Sequence, residues 1–135
     1  MRIVLDTNSL VQCVGRHSVY RDVGLSVLKG HNTLCVSNEI LFEYEEILKR
    51  FFNPHFAEAV IDAFMESGHV ELINPTFRFN LIVADPDDNK FVDCAIQANA
   101  RYIVTNDSHY DVLRHIDFPK VGVVKLMDFL LLIHG

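Results

Sequence analysis

The chain has 135 residues, of which 50% are hydrophobic and 22% are charged, and its formal net charge is −6 at pH 7. This length and composition suit one globular domain over residues 1–135 with a sizeable apolar core. The negative charge excludes a protein that holds nucleic acid mainly through a basic surface, because that mode needs clustered lysine and arginine.

Sequence features that would indicate export or membrane insertion are missing. Too few residues precede Asp6 for a signal peptide, and no apolar run approaches the roughly 20 residues of a membrane span. The three cysteines, Cys13, Cys35 and Cys94, lie in apolar surroundings. Buried reduced thiols explain them better than a disulfide or a zinc framework. We therefore expect a cytoplasmic protein with no membrane association.

Short apolar runs alternate with helical patterns along the chain. The runs, typical of strands covered on both faces, are Ile3–Leu5, Thr33–Val36, Tyr102–Val104 and Val121–Val124. The helical patterns are Tyr20–Lys29, Asn38 to about Phe52, His55–Ser67, Asn89–Ala100 and Leu126–Ile133. Val70–Ile73 and Asn80–Val83 are ambiguous. The alternation predicts an α/β sandwich with parallel strands.

The helix after Ser37 has the clearest pattern, because its apolar residues recur at helical spacing and Ser37 can cap the first turn. A second apolar stripe follows in the next helix. The two helices meet at Asn53 and Pro54, which predicts a helical hairpin packed against the sheet edge or against another subunit.

Two aspartates follow predicted strands. Asp6 comes directly after Ile3–Leu5, and Asp107 comes shortly after Tyr102–Val104. The carboxyl ends of parallel strands are where open α/β folds bind ligands. Asp6 has a plainer explanation as a helix cap, but a second aspartate at a second strand end favours a shared site. Carboxylates are the ligands that Mg²⁺ and Mn²⁺ prefer.

Glu43 is the candidate third carboxylate. Glu45 and Glu46 each have a basic residue four positions later, whereas Glu43 has Ile47 there. A glutamate that has no basic partner in its own helix is free to bind a cation from elsewhere. Exposure on a solvated helix face is the more ordinary explanation of such a residue.

An acidic segment at Asp85–Asn89 opens a helix, so one of its aspartates is a candidate cap. The sequence does not decide whether Asp85, Asp87, Asp88 or Asp93 belongs to the site. We prefer Asp88, which lies one turn before the inward-facing Val92. Asp93 is rotated about 140° from Asp88 and displaced by about 7.5 Å along the helix, so it is expected to act through water.

Taken together, these motifs resemble the PIN-domain ribonucleases, particularly the VapC-like toxins of toxin–antitoxin pairs. The resemblance covers nearly the whole chain and rests on Val4–Asn8, Ser37–Glu43, Asp85–Phe91 and Val104–Asp107. It implies a three-layer sandwich with a central parallel sheet flanked by helices. It also implies one or two Mg²⁺ or Mn²⁺ ions, held by Asp6, Glu43, Asp88 and Asp107.

The resemblance further implies which residues support the carboxylates. Asn8 and Thr105 match positions that orient them through hydrogen bonds. Asn106 departs from the pattern, since many relatives have glycine there. Candidate RNA contacts are Arg16, Arg21 and His109, although a plain surface loop is the simpler explanation of each.

The activity implied by the resemblance is metal-dependent hydrolysis of RNA by the toxin of a type II toxin–antitoxin pair. A cognate antitoxin and a homodimeric assembly are the expected partners. Two alternatives stay open. One is a PIN-like module that binds RNA or protein without cleaving. The other is a phosphatase with Asp6 as nucleophile, which would need an aspartate where this chain has Asn8.

Overall fold

Five parallel strands form the sheet at the centre of the protein, which a computed structural model describes over all 135 residues. The strands are β1 (Arg2–Leu5), β2 (Thr33–Val36), β3 (Val70–Leu72), β4 (Tyr102–Val104) and β5 (Val123–Val124). The α-helices are α1 (Thr7–Val14), α2 (Arg21–Leu28), α3 (Asn38–Phe51), α4 (Pro54–Glu66), α5 (Asn89–Ala98) and α6 (Leu126–His134). Two 3₁₀ helices cover Pro86–Asp88 and Ser108–His115.

The strand order is β3-β2-β1-β4-β5, with β1 at the centre. The chain runs outward from β1 to β3 and then crosses back to β4 and β5 on the other side. Right-handed crossovers in these two directions place the connecting helices on opposite faces of the sheet. Helix α5 packs across β1, β2 and β4. The predicted parallel sheet flanked by helices is confirmed.

The apolar strand runs are explained by burial on both faces. Ile3, Val4 and Leu5 in β1 are each 0% exposed. In the register of the sheet, Leu5 pairs with Val104 of β4. The residues that follow these two strands, beginning with Asp6 and Thr105, therefore leave the sheet at the same edge.

The helical hairpin forms as the sequence predicts. Ser37 Oγ accepts a hydrogen bond from the Ile40 N–H (3.2 Å), and Asn53 Oδ1 accepts one from the Phe56 N–H (2.7 Å). Each bond satisfies a main-chain donor in the first turn of a helix. Helices α3 and α4 pack on one another, α3 also contacts α1, and α4 contacts α2. The hairpin is therefore part of the helical layer of its own chain.

The two ambiguous segments have different outcomes. Residues 70–72 form β3, whereas residues 73–85 form an irregular segment that we call the strap. Asn89 takes the place of a partner strand, because its side chain accepts from the Ile82 N–H and donates to the Ile82 carbonyl, both at 2.9 Å. Asp93 Oδ1 accepts from the Phe79 N–H at 3.1 Å.

The remaining sequence expectations concern cysteines and membrane spans. All three cysteines are buried and unpaired. Burial raises the pKa of the Cys13 and Cys94 thiols to about 12, so both stay protonated at neutral pH. No helix is both long and apolar enough to span a bilayer.

Candidate metal centre

The four carboxylates selected from the sequence line one cavity of about 210 Å³ at the carboxyl edge of the sheet. Asp6 follows β1, Glu43 lies in the second turn of α3, Asp88 ends a 3₁₀ helix and Asp107 lies beyond β4. A larger cavity of about 440 Å³ beside Met1 contains one carboxylate, that of Asp22. Its chemistry gives no reason to prefer it as a metal site.

Asp6 both caps a helix and faces the cavity. Its Oδ1 accepts from the Ser9 N–H (2.9 Å) in the first turn of α1, and its Oδ2 accepts from the Thr105 hydroxyl. Burial, followed by the charge of Asp107, raises the pKa of Asp6. Since both hydrogen-bond donors are neutral, they orient the carboxylate without neutralising it. The cap and the site are thus compatible explanations of the same residue.

Thr105 joins the Asp6 carboxylate to the main chain of Asp107. Its hydroxyl oxygen accepts from the Asp107 N–H (3.0 Å) while its hydroxyl donates to Asp6 Oδ2. Asp107 Oδ1 in turn accepts from the His109 N–H at 2.8 Å. This chain of hydrogen bonds gives Thr105 the geometry that the resemblance implies for it.

Asn8 lines the cavity but forms no side-chain hydrogen bond. Its neighbour Thr7 makes the bond instead, because the Thr7 hydroxyl donates to Glu43 Oε2. Thr7 was not among the residues selected from the sequence. Its position directly after Asp6 was the available signal.

Burial distinguishes Asp88 from the other aspartates of its segment. Asp85 Oδ1 caps the 3₁₀ helix by accepting from the Asp87 N–H (3.3 Å), and the Asp87 side chain is 76% exposed. The Asp88 side chain is 17% exposed, and its buried Oδ2 has no hydrogen-bond partner. Burial and the charges of Asp85, Asp107 and Asp6 raise the Asp88 pKa to about 6.

His109 and Tyr110, which follow Asp107 closely in the chain, lie beside the Asp88 carboxylate. His109 Nδ1 lies 3.4 Å from Asp107 Oδ1 and 3.7 Å from Asp88 Oδ2. Ligand atoms of Asp85, Asp88 and His109 lie within 4.8 Å of one another. The hydroxyl of fully buried Tyr110 makes no hydrogen bond of good geometry, and burial, followed by the charge of nearby Asp88, raises its pKa.

Glu43 has a cation partner that its sequence neighbours did not reveal. Its Oε1 lies 2.7 Å from the Lys90 ammonium, and the Lys90 side chain is 8% exposed. Glu43 indeed has no basic partner within its own helix, but Lys90 from α5 supplies the external cation, so its isolation in sequence does not by itself indicate a metal ion. Helical spacing detects partners within one helix, whereas Lys90 reaches Glu43 from α5.

Three of the residues selected from the sequence neither line the acidic cavity nor contact its carboxylates. Asp93 lines a separate cavity of about 200 Å³, where it binds the strap through Phe79. Arg16 follows the far end of α1, and Arg21 begins α2 beside an apolar groove. Among the candidate RNA contacts, the structure thus brings only His109 to the site.

The donor set fits a divalent metal ion. Carboxylate oxygens are hard ligands of the kind that Mg²⁺ and Mn²⁺ prefer. Asp6, Asp88 and Asp107 pair with no lysine or arginine. Asp88 Oδ2 is a buried acceptor that makes no hydrogen bond of good geometry, although the buried Tyr110 hydroxyl lies beside Asp88. A cation would satisfy this oxygen and offset the repulsion among the three charges.

Comparison with protein families defines the class. The family model for the PIN domain matches residues 2–109. The chain therefore belongs to the PIN-domain family. The comparison with curated protein sequences gave no significant match.

Solved structures share the fold at low sequence identity. VapBC2 from Rickettsia felis, bound to a DNA fragment from its promoter, is 20% identical with a TM-score of 0.64, covering 93% of this chain and 98% of that chain. VapBC-1 from nontypeable Haemophilus influenzae is 14% identical with a TM-score of 0.63, covering 94% and 99%. The PIN domain endonuclease Utp24 is 17% identical with a TM-score of 0.55, covering 92% and 84%.

Proposed function

We propose that the protein is a metal-dependent endoribonuclease with its active site in the acidic cavity. One observation carries the proposal. Asp6, Asp88 and Asp107 come from three separate segments, line the same cavity and have no lysine or arginine partner. Concentrating like charges without compensation is unfavourable for the folded protein. A site that binds a cation gives a reason for the arrangement.

The three aspartates would hold Mg²⁺ or Mn²⁺, and Glu43 adds a fourth carboxylate to the same wall. When bound, the ion supplies positive charge that activates water and stabilises the charge developing on the phosphate. Thr105 fixes Asp6 through its hydroxyl, and the His109 N–H fixes Asp107. These bonds hold the carboxylates in place before an ion arrives, which lowers the cost of organising the site.

The proposed substrate is single-stranded or looped RNA. His109 is 42% exposed at its side chain and lies at the rim beside Asp88 and Asp107. An exposed imidazole in this position can stack on an unpaired base or bond to a phosphate. The net charge of −6 argues against a mainly basic surface of the kind that would hold a duplex.

We further propose that the protein is the toxin of a type II toxin–antitoxin pair that acts on cytoplasmic RNA. Two of the structural neighbours are VapBC complexes, which supports a partner of this kind. Phe42 and Phe51 in α3 are 73% and 65% exposed, and Phe51 lines the acidic cavity. Apolar contacts there, with a basic side chain reaching the carboxylates, would let an antitoxin block the site. A homodimer is the proposed assembly.

The direct test compares cleavage of an RNA pool and of single-stranded DNA with the same sequences. Each reaction contains purified protein with Mn²⁺, Mg²⁺ or EDTA. We expect RNA cleavage that requires metal and that falls by at least about a thousandfold in Asp6→Asn. Asp62→Asn, which removes an exposed carboxylate from α4, is the matched control and should cleave like the wild type.

Other outcomes would change the assignment. If the protein cleaved only DNA in a metal-dependent way, DNA would replace RNA as the assigned substrate. A folded wild-type protein that cleaves neither substrate with any metal would support the binding module in place of the enzyme.

A further inference from the structure

Lys90 is a nearly buried cation beside the acidic cavity. Its side chain is 8% exposed, and its ammonium lies 2.7 Å from Glu43 Oε1 and 3.0 Å from Asp87 Oδ1. The ammonium also lies 5.6 Å from the centre of the Phe91 ring. A buried, charged lysine needs such partners to be stable.

The two oxygens of Glu43 are both occupied within the protein. Oε1 pairs with Lys90, and Oε2 accepts from the Thr7 hydroxyl. Asp6 is also fully hydrogen-bonded, but its donors are a main-chain N–H and a hydroxyl, which carry no net charge. Glu43 is therefore the one member of the four whose charge is offset by a lysine or arginine.

Two simpler explanations of Lys90 do not fit its surroundings. An exposed ion pair of the ordinary helical kind is represented by Lys49 and Glu45, which lie 2.8 Å apart with side chains 47% and 45% exposed. Lys90 is far more enclosed and reaches a different helix. A direct contact with an RNA phosphate would need an accessible ammonium, which burial of the side chain prevents.

We infer that Lys90 is a positioning residue whose ammonium provides, beside Glu43, positive charge that a metal ion would otherwise provide. It holds Glu43 as a paired carboxylate and leaves the divalent ion to Asp6, Asp88 and Asp107. The inference rests on the proposed metal-dependent function. It differs from the ligand set implied by the resemblance, in which Glu43 holds the ion with the other three.

The charges give this inference a distinctive consequence for metal affinity. In Lys90→Met, Glu43 and Asp87, which both line the cavity, lose their ammonium partner, while the Thr7 hydroxyl still donates to Glu43 Oε2. Opposite charges within about 4–6 Å change the ionisation equilibrium of a carboxylate by roughly tenfold or more. We therefore expect Lys90→Met to bind Mn²⁺ at least about tenfold more tightly than the wild type. A residue with only a structural role would weaken binding when replaced.

The double variant Glu43→Gln with Lys90→Met isolates the role of Glu43. Both charges of the pair are removed, so no buried charge is left alone and the fold is expected to persist. If Lys90 neutralises Glu43 in the wild type, the double variant should bind Mn²⁺ within about threefold of the wild type. If Glu43 is itself a metal ligand, the double variant should bind at least about tenfold more weakly.

Isothermal titration calorimetry of Mn²⁺ into the EDTA-treated and dialysed full chain measures these affinities. Lys49→Met is the matched control, because it removes one lysine charge from the exposed pair on α3. Its affinity should equal that of the wild type. If Lys49→Met and Lys90→Met increased the Mn²⁺ affinity equally, the change in net charge alone would explain the effect. That result would overturn the inference.

The remaining outcomes separate this inference from the proposed function. Unchanged or weaker binding by Lys90→Met, or a double variant at least about tenfold weaker than the wild type, would overturn the role of Lys90 while leaving a metal site. No Mn²⁺ binding by the folded wild type would instead remove the metal-dependent function, and the role of Lys90 with it.

Discussion

Replacing Asp88 with asparagine should stabilise the metal-free protein at neutral pH. Burial, followed by the charges of neighbouring aspartates, raises the Asp88 pKa to about 6 from an ordinary 3.8. Its side chain makes no capping hydrogen bond at the start of α5, so the substitution removes no cap. Asparagine has nearly the same shape and removes the unfavourable charge.

The magnitude follows from the pKa. One pKa unit corresponds to about 1.4 kcal/mol, so the full difference is about 3 kcal/mol. The Asp88 side chain keeps 17% of its exposure, and water screens part of the repulsion. We halve the value and expect Asp88→Asn to raise the free energy of unfolding by about 1.5 kcal/mol at pH 7.5.

The pH dependence fixes the sign. Because the folded protein has the higher pKa, the stability that Asp88 contributes is fully present below about pH 3.8 and is lost as the pH rises through about 6. The advantage of Asp88→Asn should therefore be about 1 kcal/mol smaller at pH 4.5 than at pH 7.5.

Urea denaturation in EDTA at both pH values measures this, with Asp62→Asn as the exposed control. An Asp88→Asn variant that is less stable than the wild type at pH 7.5, or equally changed at both pH values, would refute the reasoning.

Three further substitutions test the supporting contacts. Thr105→Val should lower RNA cleavage about 10- to 100-fold without unfolding the protein, because it removes the hydroxyl that orients Asp6; an undiminished rate would contradict this role. Tyr44→Phe should lower the free energy of unfolding in urea by about 1–2 kcal/mol, since the buried Tyr44 hydroxyl donates to the Leu5 carbonyl at 2.5 Å. Asn106→Ala should cost about 1 kcal/mol in the same assay, because its Oδ1 accepts from the first N–H of α6 at 3.0 Å, and no loss would show that this cap is dispensable.

The strand ends and their carboxylates were accessible from sequence because each depends on a local pattern. The apolar run Ile3–Leu5 predicts a buried strand, and parallel strands bring their carboxyl ends to one edge. Asp6 and Asp107 could therefore be placed at the same edge of the sheet, whereas the pairing of β1 with β4 that makes their strands neighbours is known from the structure. Asn106 has a structural role, because its Oδ1 accepts from the first N–H of α6.

The contacts that sequence could not predict join distant segments through side chains. The pair of Lys90 with Glu43 links α5 to α3, and no periodicity marks it. The strap is held by Asn89, whose amide mimics a strand partner without any strand pattern in the chain. The sequence favoured Asp88 from its position one turn before Val92, but it could not show that Asp88 Oδ2 is buried while Asp85 caps a turn.

The claim on which the proposed function depends is that the acidic cavity binds a divalent cation. Anomalous diffraction at the manganese edge, from crystals of the full chain grown with Mn²⁺, tests it most directly. We predict a manganese peak between Asp6, Asp88 and Asp107, at about 2.0–2.3 Å from carboxylate oxygens, as expected for hard divalent ions. An ordered cavity without a peak at millimolar Mn²⁺ would contradict the claim.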